Sequence, residues 1–118
     1  VSIDLIGHSW GGDTAATIAE NSPRKIDMLI TIDPVSVNRP DMNAVRNNTV
    51  TWIDVNASTT SSWTFANMVA GVGGAWNDAP KAYADAFINA SANHEEFSKM
   101  MGTSGNGYHS PSFMLGIK

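Results

Sequence analysis

An α/β fold with a mostly parallel sheet flanked by helices is the architecture this sequence predicts, on three observations. Short apolar runs rich in β-branched residues recur at 1–6, 26–32 and 49–55. An alanine-rich, helix-forming stretch separates the first two, and parallel neighbours require such a crossover. The chain has 118 residues, 42% hydrophobic and 15% charged, which is one globular domain's worth of chain.

Each element follows from its residues. Val1, Ile3, Leu5 and Ile6 are apolar ahead of Gly7, the pattern of a short buried strand ending in a turn. Residues 10–20 carry Ala15, Ala16, Ile18 and Ala19, a helix with a small-residue face, and Pro23 stops it. Ile26, Met28, Leu29, Ile30 and Ile32 form a second strand that ends at Asp33-Pro34, because proline has no N–H for the ladder. The polar stretch 38–48, with Pro40, reads as a surface connection, and Val50, Trp52, Ile53 and Val55 make the third strand. A loop rich in Ser, Thr and Asn follows at 56–62, then an apolar block at 63–76. Residues 83–92 suit a helix or a short buried strand equally, since periodicity does not separate the two over so short a run. Residues 94–101 read as a short helix with Glu95 and Glu96 in its first turn, where the helix dipole favours anions. The tail, 102–118, is rich in Gly and Ser and is expected to be flexible. A single domain therefore spans 1–118, with 56–80 as a candidate lid or cap segment.

Composition removes several function classes. The absence of cysteine excludes disulfide scaffolds, thiolate nucleophiles and Cys-ligated zinc or iron–sulfur centres. Seven Lys+Arg stand against eleven Asp+Glu, a net charge of −4, with no basic run to attract nucleic acid or an anionic membrane. No apolar run approaches the roughly 20 residues of a spanning helix, and no basic segment precedes an apolar one as in a signal peptide. Sequons at Asn47, Asn56 and Asn89 fall in a chain so rich in Asn, Ser and Thr that they carry no argument for secretion, so the compartment stays undetermined.

One motif carries chemistry. Gly7-His8-Ser9-Trp10-Gly11 is G-x-S-x-G between a strand and a helix, the setting of a nucleophile elbow. So tight a turn favours glycine at both flanks, Gly7 and Gly11, while Gly12 lets the helix press close to the sheet. The turn lifts the Ser9 hydroxyl above the sheet at a helix N-terminus, where free N–H groups favour developing negative charge. The spacing does not fit a dinucleotide fingerprint, because Ser9 and Trp10 stand where glycine and its neighbour belong, and no Gly-Lys-Ser/Thr of a phosphate loop is present.

A serine hydroxyl needs a base to take its proton, and the base needs an acid to hold its tautomer. Asp33, at the end of the second strand, is the first choice of acid; Asp54, within the third strand, is the alternative, and Asp78 is a third. Of the three histidines, His94 stands at a loop–helix junction and is preferred as base over His109 in the tail, while His8, inside the elbow, is expected to pack against its neighbours. His94-Glu95-Glu96-Phe97-Ser98 lacks the second histidine of a zinc-protease helix, so no metal or other cofactor is expected.

Gly-His-Ser-Trp-Gly-Gly, a strand ending Thr31-Ile32-Asp33-Pro34-Val35, and a later loop histidine together resemble the lipase/esterase branch of the α/β-hydrolase superfamily, over residues 1 to about 101. The resemblance implies Ser9 as nucleophile, the Trp10 N–H as one oxyanion donor, Asp33 as acid and His94 as base. It implies hydrolysis of a carboxylic ester, of a small molecule or a lipid, through an acyl-enzyme. A thioesterase or amidase would use the same three residues, and a non-catalytic ligand- or partner-binding protein would use the same scaffold. The block 63–76 would supply a lid or acyl-binding wall, or a plain helix covering the sheet. The family's second oxyanion donor comes from upstream of the elbow, so the sequence reads as the C-terminal part of the fold, with the N-terminal half of the sheet missing. The strand 1–6 would then be an unpaired edge prone to self-association.

Overall fold

The apolar runs become strands, and the computed structural model, which describes residues 2–57, 74–77 and 79–116, joins them in one sheet. Strands β1 (Asp4–His8), β2 (Ile26–Ile32), β3 (Thr49–Ala57) and β4 (Ala86–Ala90) pair in that order, each parallel to the next. Helix α1 (Trp10–Asn21) joins β1 to β2, and α2 (Met42–Asn47) precedes β3. A 3₁₀ turn at Ala79–Ala82 leads into β4, which is followed by the short helices α3 (Phe97–Met101) and α4 (Pro111–Met114).

Alternation along the strands divides the core between the two faces of the sheet. Leu29 and Trp52 meet Ala15, Ala16 and Ala19 of α1, together with Val45 and Trp76. Ile30, Ile32, Ile53, Val55 and Ile88 meet Met100 and Met101 of α3 on the other face. Alanine on the buried stripe of α1 lets that helix lie close to the sheet, and Trp52 and Trp76 fill the volume left beside it.

Several elements differ from the expectation drawn from composition. β1 runs through Gly7 to His8, so the turn begins at Ser9. Within the polar stretch 38–48, Asp41 accepts hydrogen bonds from the N–H groups of Asn43 (3.0 Å) and Ala44 (3.3 Å), and this cap starts α2. The ambiguous 83–92 contains a strand, fixed by its pairing with β3. Helix α3 starts at Phe97, one residue after Glu96, so neither Glu95 nor Glu96 lies in its first turn.

Of the segment 56–80, residues 58–73 and 78 lie outside the described residues, so the lid and acyl-wall readings and Asp78 fall there. The remainder is structural: Asn56 and Ala57 end β3, and Trp76 is buried with its indole N–H donated to Ser36 Oγ at 2.9 Å. In the tail, Asn106 Oδ1 accepts the Phe87 N–H at 3.0 Å, and Tyr108, Met114 and Leu115 pack on the core.

Candidate active site

Parallel strands all end on one edge of the sheet, and loops leaving that edge gather there. Ser9 follows β1, Asp33 follows β2, and His94 lies four residues beyond β4.

The elbow is built by close backbone contact. Ser9 has φ 59° and ψ −126°, a conformation costly to an L-residue. It is held by its own N–H donated to Ile32 O (2.9 Å) and by its carbonyl, which accepts from Gly12 N–H (2.9 Å) and Val35 N–H (3.1 Å). A Cβ on Gly7 would lie 1.9 Å from Gly11 O, so glycine is obligatory there. At Gly12 it would lie 3.0 Å from the Pro34 Cβ, which makes this glycine the contact between α1 and the loop after β2. Gly11 corrects the expectation that both flanks of the serine need glycine: a Cβ there meets nothing within 4 Å. Gly7→Ala should therefore cost at least about 3 kcal/mol. Gly11→Ala should leave stability unchanged or raise it by up to about 1 kcal/mol, the ordinary helix preference for alanine. Urea midpoints of the two variants check the contrast.

Asp33 also stands at positive φ, 41°. Its N–H is donated to Val55 O, and its Oδ1 accepts the Ala57 N–H at 3.0 Å, so β3 holds both the main chain and the carboxylate of Asp33. Its Oδ2 accepts from His94 Nδ1, and both residues are buried. His94 Nε2 lies 2.8 Å from Ser9 Oγ. Because an ionised carboxylate only accepts, Asp33 places the imidazole proton on Nδ1, and Nε2 presents its lone pair to the serine hydroxyl.

The turn that carries His94 is closed by reciprocal bonds: Glu96 Oε1 accepts the Asn93 N–H (2.9 Å), and Glu96 N–H is donated to Asn93 O (3.0 Å). The Glu96 carboxylate also receives Lys99 Nζ at 2.7 Å, and that contact above all holds its pKa below the ordinary glutamate value. From β1, His8 donates Nε2–H to the carbonyl of His94 at 2.6 Å. From sequence His8 is expected only to pack and Glu96 only to favour a helix start; Glu96 instead closes the turn locally, three residues from Asn93, while the His8 bond joins segments 86 positions apart, whose approach depends on the fold.

Trp10 is the first residue of α1, so its N–H has no intrahelical acceptor, and its side chain is largely exposed beside Ser9. The alternative acid and base stand elsewhere. Asp54 is fully buried within β3, where its oxygens accept from Thr31 Oγ1 and Asn56 Nδ2, each at 2.6 Å. Burial, opposed by those bonds and reinforced by the nearby charge of Asp33, pushes its pKa up to about 7. His109 is exposed and stacks on Phe113, with ring centroids 4.0 Å apart. Among the described residues no group of three or more His, Asp or Glu side chains is placed to hold a metal ion, and no helix is long and apolar enough to cross a membrane.

A family model described as alpha/beta hydrolase fold matches residues 2–70, more than half of the 118, and so takes in the elbow and Asp33 but stops short of His94. No curated protein and no solved structure matches the chain. With a strand–elbow–helix unit opening a parallel sheet and a family match over the same residues, the chain belongs to the α/β-hydrolase fold family.

Proposed function

We propose that the chain is a serine hydrolase acting on carboxylic esters through an acyl-enzyme. The observation that carries this reading is the continuous row from Ser9 Oγ to His94 Nε2 and from His94 Nδ1 to Asp33 Oδ2, on three separate loops of one sheet edge. Positive φ at both Ser9 and Asp33 supports it, since strain of this kind persists where the surroundings enforce a functional geometry.

His94 removes the Ser9 proton as Oγ attacks the ester carbonyl, and the buried Asp33 carboxylate balances the imidazolium that forms. The Trp10 N–H donates to the oxyanion, a single donor of this kind being worth about 3 kcal/mol of transition-state stabilisation. Collapse of the tetrahedral intermediate breaks the ester C–O bond, and the proton on His94 passes to the departing alcohol. Water, deprotonated by the same imidazole, then releases the acid and restores Ser9.

Hydrogen-bond separations favour this reading over a non-catalytic scaffold, which has no need to keep the three groups in register. An alkyl fluorophosphonate tests it. The expected result is one covalent adduct, mapped to Ser9 by peptide mass, absent from Ser9→Ala and His94→Ala and retained in His109→Ala. An unlabelled chain, or esterase activity surviving in Ser9→Ala, overturns the proposal. Comparing matched ester, thioester and amide substrates assigns the leaving group.

A further inference from the structure

His8 is one residue from the proposed nucleophile, yet its polar contact reaches across the site to the segment that carries the base. Its Nε2 lies 2.6 Å from the carbonyl oxygen of His94. A carbonyl only accepts, so this nitrogen carries a proton and donates it. The imidazole also lies against the His94 ring, with centroids 5.1 Å apart, and against Phe97 at 5.5 Å. One side chain on β1 therefore touches both the main chain and the ring of His94, as well as the first residue of α3.

Glu96 and His8 hold the His94 turn in different ways. Glu96 closes the turn on itself, by its bonds to Asn93. Internal closure fixes the shape of a turn but not its place relative to Ser9. His8 ties the same turn to β1, the strand whose next residue is Ser9. We propose that His8 is a positioning residue, whose Nε2–H donated to the His94 carbonyl sets the distance at which His94 meets Ser9. The inference rests on the proposed serine hydrolase chemistry and adds a part to it.

Two variants separate the donor from the ring. His8→Phe keeps an aromatic ring of similar size against His94 and Phe97 and removes the donor. His8→Gln removes the ring and keeps an amide N–H near the position of Nε2. Labelling by a fluorophosphonate, resolved into a reversible constant KI and a covalent rate kinact, reads alignment apart from binding. In the full chain, His8→Phe is expected to lower kinact by roughly 10- to 100-fold, the penalty for misplacing a reacting group by about an ångström. KI should stay within about twofold, because the bond removed is internal to the protein and is not made to the inhibitor. His8→Gln should restore kinact to within roughly threefold of the original chain. Thermal melts of both variants distinguish loss of alignment from loss of fold.

If His8→Phe labels as fast as the original chain, or if His8→Gln is as slow as His8→Phe while both remain folded, the donor has no positioning part and the inference fails by itself. An original chain that is not labelled at Ser9 overturns the hydrolase reading, and this inference with it.

Discussion

Asp33→Asn should lower kcat for ester hydrolysis by about 10⁴-fold while KM changes little, the loss expected when the base is locked in the wrong tautomer. Local bonding dictates which way the new amide faces. Asp33 Oδ1 accepts the Ala57 N–H, so the single oxygen of asparagine is required there and its NH₂ is turned toward His94 Nδ1. That nitrogen must then accept, the ring proton moves to Nε2, and Nε2 no longer accepts from Ser9. The fold should tolerate the change, since the bond from β3 is kept. Steady-state kinetics on a nitrophenyl ester checks the prediction, and a loss below about tenfold would mean that Asp33 does not set the tautomer.

Asp54→Asn should act on stability rather than on chemistry. The Asp54 carboxyl is fully buried, and its pKa rises from 3.8 to about 7, chiefly through burial. Between those values the folded chain holds a proton that the unfolded chain has released, so stability falls as pH rises through the window. A rise of that size corresponds to a loss on the order of 4 kcal/mol by the upper end of the window. Asparagine is neutral throughout and fits the same neighbours: its oxygen accepts from Thr31 Oγ1, which still accepts the Trp52 indole N–H, and its NH₂ meets Asn56 once that amide turns its oxygen toward it. The variant should therefore be the more stable form above pH 7 and lose that advantage toward pH 4. Urea midpoints for both chains across that range measure the difference, and parallel curves would count against it.

Much of this architecture is legible in the residues because it depends on short-range chemistry. Ile26 to Ile32 is apolar at five of its seven positions and is followed by Asp-Pro, so both the strand and the loop behind it are written locally. Gly-His-Ser-Trp-Gly-Gly specifies a turn whose steric demands hold at Gly7 and Gly12. The demand fails at Gly11, which faces open space, something that only the path of neighbouring chain decides. β4 illustrates the same boundary: Ala86 to Ala90 has no preference strong enough to choose between helix and strand until β3 offers its edge. Helix α2 buries only Val45 and depends on the Asp41 cap, a one-residue signal outweighed by the polar stretch around it. The bond from His8 to the His94 carbonyl spans 86 positions and has no trace in either local sequence.

Ser9 and Asp33 are located relative to each other by main chain. Ser9 N–H binds Ile32 O and Val35 N–H binds Ser9 O, so the two bonds bracket the acid from both sides. Main-chain bonds of this kind survive most exchanges of side chain, whereas the bonds that His8, Glu96 and Asp33 make to the His94 turn through their side chains do not. Mutational drift therefore falls unequally on the three residues. A lineage released from selection would keep its serine and aspartate in register for a long time, and the first geometric casualty of neutral change would be the histidine.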